Sequence, residues 1–182
     1  MKKILGLIIS LTVIAGVCSA VLAYIDNVTR APIAEMKDKK ERDAAKAVMP
    51  EGVVSVEKVQ MGKPDDSYFA GKDGEGRVIG YAVSGRDPGG YGGDIVLMVG
   101  FKADRRTVVC YKKLQASETP GLGTKLSSPE FSGQFAGKDA SKKLAVTKDG
   151  GEIEAITSAT ITSRAVCGAV NDAQAKLSRV CR

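Results

Sequence analysis

The chain has 182 residues, 43% hydrophobic and 26% charged, with a formal net charge of +6. That composition is too apolar for a disordered protein and fits one modest domain plus an appendage. Histidine is absent, which removes the commonest acid–base group near neutral pH and the commonest metal ligand, so any redox chemistry falls to a borrowed cofactor. Positive residues are dispersed apart from the mixed run Lys37-Asp38-Lys39-Lys40-Glu41-Arg42-Asp43. With no dense basic cluster and interleaved aromatics, no nucleic-acid partner is expected.

Residues 4–25 carry no charge and are mostly Ile, Leu, Val, Ala and Gly, a length and composition suited to a transmembrane helix. A cleaved secretory signal is the alternative, because Cys18-Ser19-Ala20 is a small-residue stretch. The apolar run continues past it through Val21, Leu22, Tyr24 and Ile25, which favours a retained, single-pass anchor. A lipoprotein reading of Cys18 is opposed by Val17, where a small residue is expected. Lys2 and Lys3 on the short flank place residues 1–3 in the cytoplasm by the positive-inside bias. The expected location is the cell inner (cytoplasmic) membrane, with the domain on the periplasmic or extracytoplasmic side.

Residues 26–50 read as a helical stalk. Within them, residues 31–49 are rich in Ala, Glu, Lys and Met, with Pro32 near the first turn and Pro50-Glu51-Gly52 as the stop. Residues 51–182 form the domain. Strands are expected at 53–59, 78–83, 94–101 and 107–114, the last two as a hairpin. Residues 117–151 read as irregular chain and 152–156 as a short strand. A helix is expected at 163–177, where Val166, Val170, Ala173 and Leu177 recur at helical spacing. Strands in series with helices mainly at the ends give an α+β class. The four cysteines, Cys18, Cys110, Cys167 and Cys181, form no CxxC or metal-type pair. Free thiols are favoured, and whether Cys110, Cys167 or Cys181 pair is left open.

Three stretches carry candidate chemistry. In Glu154-Ala155-Ile156-Thr157-Ser158-Ala159-Thr160-Ile161-Thr162-Ser163 a dense hydroxyl cluster precedes a helix. Helix capping explains one or two such hydroxyls. The small neighbours Ser158 and Ala159 also admit a bulky group at Thr160, and the free amides of a first helical turn suit a phosphate. In Glu118-Thr119-Pro120-Gly121-Leu122-Gly123-Thr124-Lys125 a tight turn is either a plain surface loop or a close backbone approach to a flat ligand, with Glu118, Thr119 and Lys125 as polar contacts. Pro88-Gly89-Gly90-Tyr91-Gly92-Gly93-Asp94 is a flexible turn in which Tyr91 can flank a ligand's rings.

Together, in this order behind an anchor helix, these stretches resemble the G subunits of the Rnf-type electron transport complexes. The FMN-binding domain in the C subunits of the sodium-pumping NADH:quinone reductases is similar. The most specific element is the flavin-attachment pattern: an acidic residue, two variable residues, Ser or Thr, Gly or Ser, then Ala-Thr. Here it reads Glu154 through Thr160, with Glu154 where Asp is usual and Ser158 where Gly is frequent. The resemblance implies an FMN-binding domain with FMN held covalently on Thr160 through its phosphate, near Thr157, Ser158 and Ala159. It implies a pocket lined by Glu118, Thr119, Leu122 and Gly123, with Lys125 and Tyr91 as further contacts. No residue is expected to be catalytic and no metal is implied. The implied role is an electron relay between ferredoxin and NAD within an ion-translocating membrane complex. Its partners would be the other membrane subunits and a flavin transferase, since a threonine hydroxyl is a weak nucleophile and no self-catalytic base is evident. The alternatives are a structural or pilin-like anchored protein, and a non-covalent ligand-binding domain without a redox role.

Overall fold

The computed structural model describes residues 2–60 and 67–179, and the chain divides into two compact units between Lys39 and Lys40. Cys181 lies outside the described residues. The first unit is the greater part of α1 (Lys2–Val48). Its apolar portion reaches a mean hydropathy of 2.5 with none of it buried, and the helix is long and apolar enough to cross a bilayer. Thr12 donates its hydroxyl to the Ile8 carbonyl at 2.9 Å, so that polar group is satisfied inside the helix, as a lipid environment demands. Pro32, expected near the first turn of the helical stalk, lies inside α1, which runs unbroken from the apolar portion.

The second unit begins with the last turns of α1 and continues into a five-stranded antiparallel sheet in the order β1-β2-β3-β4-β5. Its strands are β1 (Ser55–Gln60), β2 (Ser67–Lys72), β3 (Val78–Gly90), β4 (Gly93–Lys102) and β5 (Val108–Gln115). A 3-10 turn (Gly123–Ser127), the short α2 (Pro129–Ser132) and further 3-10 turns then lead to α3 (Thr160–Arg179). An antiparallel sheet with a helix at each end of the domain is the expected α+β arrangement.

Alternation along the strands gives the sheet two apolar faces. Val83, Leu97, Val99 and Phe101 face one core with Val166, Ala169, Val170 and Leu177 of α3. Ala82, Met98 and Leu114 face another with Ala44, Ala45 and Val48 of α1. Each face admits its helix through a glycine. A Cβ on Gly85 would stand 1.9 Å from the Ala169 carbonyl oxygen, and one on Gly100 would stand 1.8 Å from that of Val48. Cys18, Cys110 and Cys167 are free, and burial in the first core pushes the Cys167 thiol up to about 12, which leaves it a packing group.

Three elements differ from the sequence expectation. β2 has no counterpart among the expected strands. β3 extends to Gly90 rather than ending at residue 83, because the Gly-rich stretch pairs with β4 down to Gly90↔Gly93. The strand expected at 152–156 forms only an isolated bridge, Val146↔Ile153. There the Gln134 carboxamide occupies the place of a neighbouring strand, accepting from the Glu154 amide at 2.7 Å and donating to the Glu154 carbonyl at 3.3 Å.

Replacing Gly85 by Ala forces α3 off the sheet, and overpacking of this kind costs about 2 kcal/mol. Denaturant unfolding of the detergent-solubilised chain checks this. A Gly85→Ala midpoint equal to wild type would remove Gly85 as the seat of α3.

Candidate functional site

Glu118, three residues beyond the end of β5, has a side chain buried to 8% exposure. Its Oε2 accepts the Thr162 hydroxyl of α3 at 2.6 Å, and its Oε1 accepts the Gly92 amide of the β3–β4 turn at 3.3 Å. One carboxylate therefore joins the three stretches that the sequence singles out. The surrounding glycines make room for it. A Cβ on Gly90 would lie 2.8 Å from Oε1, and one on Gly123 would lie 2.5 Å from Oε2. Gly92 sits against the Ser117 carbonyl, where a Cβ would be 1.7 Å away. Gly123 is thus shaped by Glu118 and Thr162 themselves.

The turn that follows is set locally. The Leu122 amide donates to the Thr119 carbonyl at 3.2 Å, with Pro120 at the second position and Gly121 at the third with φ +77°. A positive φ there is what a type II turn requires, and Pro-Gly supplies it. Thr119 and Leu122 face solvent on this turn, and Lys125 is exposed beyond it, with no hydrogen bond or ion pair to the Glu118 cluster.

The hydroxyl cluster is sorted by burial. Ser163 is fully buried, donates to the Ala159 carbonyl at 2.9 Å and accepts the Ile156 amide at 2.9 Å. Thr162 is buried on Glu118. Thr157 and Ser158 are exposed, and Ser158 holds φ +64°. Ala159 is buried just before α3. Thr160 is the first residue of α3 and is half-buried. Its hydroxyl lies 3.5 Å from Lys148 Nζ, beside a helical turn whose amides lack intrahelical partners.

Nothing local in the sequence marks Lys148, because its place depends on a distant ion pair. It belongs to the 3-10 turn Thr147–Asp149. Asp149 in that turn receives Arg164 of α3 through two bonds of 2.7 Å. Hydrogen bonding from Arg164 holds the Asp149 carboxyl below its ordinary value. The pair fastens the turn to α3 and brings Lys148 to Thr160.

Apolar surface collects on the same three stretches. Among the described residues outside α1, the exposed large hydrophobic side chains are Val54, Tyr91, Leu122 and Ile161. Tyr91 is in the β3–β4 turn, Leu122 in the Pro-Gly turn and Ile161 in the first turn of α3. Ile161 is a second residue that the sequence expectation lacks. Its position off the buried stripe of α3 is the signal that could have found it. Three apolar side chains left to solvent on segments tied to one carboxylate suit the face of a flat ligand, and the Thr160–Lys148 corner suits its phosphate.

Known proteins resemble this chain in sequence and fold. The FMN-binding domain family matches residues 90–175. The G subunit of the ion-translocating oxidoreductase complex of Methanosarcina acetivorans is 35% identical, covering 94% of this chain and 93% of that protein. The G subunit of the Na(+)-translocating ferredoxin:NAD(+) oxidoreductase complex of Acetobacterium woodii is 37% identical, over 92% of this chain and 87% of the relative. The crystal structure of the C subunit of the Na(+)-translocating NADH-quinone reductase from Parabacteroides distasonis is 27% identical, covers 62% of both chains and superposes with a TM-score of 0.51. The Shewanella oneidensis NqrC structure, 20% identical, covers 77% of this chain and 73% of that one with a TM-score of 0.54, and shares the fold.

Substituting Thr162 by Val leaves Glu118 Oε2 buried without its donor, a loss of about 2 kcal/mol. Denaturant unfolding should show a lowered midpoint with an unchanged slope. Equal stability of the two chains would mean that Glu118 does not depend on α3.

Proposed function

The chain belongs to the family of G subunits of ion-translocating oxidoreductase complexes, and from that membership we propose that it is a membrane-anchored flavoprotein relaying electrons within such a complex. The observation that carries this reading is the coincidence of a half-buried Thr160 beside Lys148 with exposed Tyr91, Leu122 and Ile161 on stretches joined by Glu118. FMN, when bound, supplies the electron-accepting and electron-releasing chemistry. The chain's own residues attach, orient and cover it.

In this reading Thr160 Oγ1 forms the phosphodiester. The neighbouring hydroxyls are unsuited to that bond, since Thr162 and Ser163 are buried in contacts that the fold requires, and Thr157 and Ser158 lie outside the helix. The amides of the first α3 turn and the Lys148 ammonium balance the phosphate charge. Tyr91, Leu122 and Ile161 cover the ring, while Glu118 holds their three segments in register. Thr119, Gly123, Ala159 and Lys125 complete the surroundings. Lys148 donates to the Thr160 hydroxyl, and a threonine hydroxyl is a weak nucleophile, so in this reading a separate flavin transferase activates it.

Residues 4–25 would span the cell inner membrane with residues 1–3 cytoplasmic. Residues 26–50 would form the helical lead and residues 51–182 the flavin domain on the periplasmic or extracytoplasmic side. The other membrane subunits of the complex are the expected redox partners.

Two measurements test the proposal. Intact mass after co-expression with a flavin transferase should show one FMN, less water, on wild type. That mass should be absent from Thr160→Ala and partly retained in Thr160→Ser. Lys148→Met should reduce the modified fraction several-fold, with Lys148→Arg recovering most of it. Persistence of the added mass in Thr160→Ala would move the attachment elsewhere.

Orientation is read from reporter fusions after Arg182. A reporter active only outside the cytoplasm should be active, and a cytoplasmic one inactive; the opposite pair of results reverses the topology.

A further inference from the structure

Residues 152–156 lead from the 3-10 turn Thr147–Asp149 to the start of α3, and three separate segments hold their backbone. On one side Val146 and Ile153 form a parallel bridge. The Ile153 amide donates to the Ala145 carbonyl at 3.2 Å, and the Ile153 carbonyl accepts the Thr147 amide at 2.8 Å. On the other side Gln134 stands in for a strand. Its Oε1 accepts the Glu154 amide at 2.7 Å and its Nε2 donates to the Glu154 carbonyl at 3.3 Å. Two residues on, the Ile156 amide donates to Ser163 Oγ at 2.9 Å, and the Ile156 carbonyl accepts the Ala159 amide at 2.9 Å. The register set at Glu154 is thereby carried to Thr160.

Gln134 has a firm base. It belongs to the 3-10 turn Gly133–Phe135 and is half-buried. Its neighbour Phe135 is fully buried and packs edge-on against Tyr111 and Phe131 at centroid distances of 5.2 Å and 5.7 Å. A backbone so anchored leaves the carboxamide few alternatives, so its two bonds require little further ordering.

The side chains on the tied segment point the other way in their use. Glu154, Thr157 and Ser158 are exposed, and none of the three makes a side-chain hydrogen bond or ion pair with another described residue. The backbone is engaged at Ile153, Glu154 and Ile156 while these polar groups stay free. That arrangement suits a segment read from outside, because order already present in the free chain lowers what binding must freeze.

We propose that Gln134 is a positioning residue for flavin attachment: its carboxamide keeps the segment before Thr160 extended, so that the flavin transferase meets it already ordered. The inference rests on the reading of Thr160 as the attachment point. In the transfer, Thr160 Oγ1 bonds to the FMN phosphorus of a flavin dinucleotide, and the pyrophosphate bond breaks. Adenosine monophosphate leaves, and the hydroxyl proton passes through the transferase to solvent. Gln134 touches none of the reacting atoms and acts through the Glu154 backbone. Its loss therefore weakens recognition and spares the chemistry.

The test uses the full chain, made without flavin and solubilised in detergent, with purified transferase and the dinucleotide. Intact mass follows the addition of FMN as the chain concentration is varied. Gln134→Met keeps the length of the side chain and removes both bonds. It should raise KM for the chain about ten-fold and leave kcat within about two-fold of wild type. Gln134→Asn withdraws the carboxamide by one methylene, keeps the surface polar and should give the same split. Lys138→Met is the control. It breaks the Lys138–Glu152 ion pair of 2.5 Å between the same two segments without touching the Glu154 backbone, so KM should stay at the wild-type value. Hydrogen exchange gives a readout that needs no transferase. The Glu154 amide should exchange about ten-fold faster in Gln134→Met, with the Ile153 and Ser163 amides unchanged.

The failures are distinguishable. A wild-type chain that takes no FMN from an active transferase sinks the attachment reading and this inference with it. If wild type is modified, the inference alone falls on any of several results: an unchanged KM in both Gln134 variants, a lowered kcat at unchanged KM, an equal rise in KM for Lys138→Met, or unaltered exchange at Glu154. Loss of the cooperative fold in both variants would make Gln134 a folding residue and overturn it as well.

Discussion

The carboxylate of Glu118 is the constraint on which the site depends. A buried carboxylate needs donors, since its charge is otherwise too costly to keep out of water. Glu118 draws one from the side chain of Thr162 and one from the backbone of Gly92. Neither donor is near it in sequence, so satisfying Glu118 requires the β3–β4 turn, the segment after β5 and the start of α3 to meet. The glycines at 90 and 123 are the steric counterpart of that requirement, because any side chain there would overlap the carboxylate. Tyr91, Leu122 and Ile161, the exposed apolar side chains of these segments, are carried by the three stretches so tied.

The helix α3 serves three purposes along its length. Its first turn presents Thr160, its middle packs on Gly85 through Ala169, and its later turns line a surface cavity with Asn171, Gln174 and Ser178. The middle contact is a close backbone approach between the helix and the sheet, and it fixes the position of both ends. The Arg164–Asp149 pair adds a second fastening beside the first turn. Arg164 and Asp149 are largely exposed, so their value lies in placing Lys148 more than in stability.

Much of this is legible in the sequence, and the reasons are specific. Val166, Val170, Ala173 and Leu177 announce α3 because a helix packed on one side repeats its apolar residues at helical spacing. The three Gly- or hydroxyl-rich stretches are visible because turns and helix starts demand particular residue types. β2 escapes because Ser67-Tyr68-Phe69-Ala70-Gly71-Lys72 has too few β-branched residues, and its strand character comes from pairing with β1 and β3. β3 reads as too short because Gly85 and Pro88-Gly89-Gly90 look like turn residues, whereas Gly85 is in the strand to admit α3. Residues 152–156 resemble a strand but meet a glutamine side chain where a neighbouring strand is needed. Lys148 and Ile161 are hidden because their roles depend on what lies opposite them.

The backbone at Ser158 explains why one hydroxyl among five is set apart. Its φ of +64° lies in the left-handed region, which costs a non-glycine residue about 1 kcal/mol or more. A chain avoiding that strain would not reverse between Thr157 and Ala159. The reversal lets the Ala159 amide reach the Ile156 carbonyl at 2.9 Å, and lets the Ala159 carbonyl accept both the Ser163 amide and the Ser163 hydroxyl. Those bonds bury Ser163 and start α3 at Thr160. Thr162, two residues on, turns inward to Glu118, while Thr160 remains at the rim beside Lys148. Glycine would hold this turn without the Cβ penalty; with serine at position 158 the strain is offset by the buried bonds on either side. The proposed attachment at Thr160 therefore rests on exclusion: the fold engages the neighbouring helical hydroxyls internally and leaves Thr160 half-buried at the helix start.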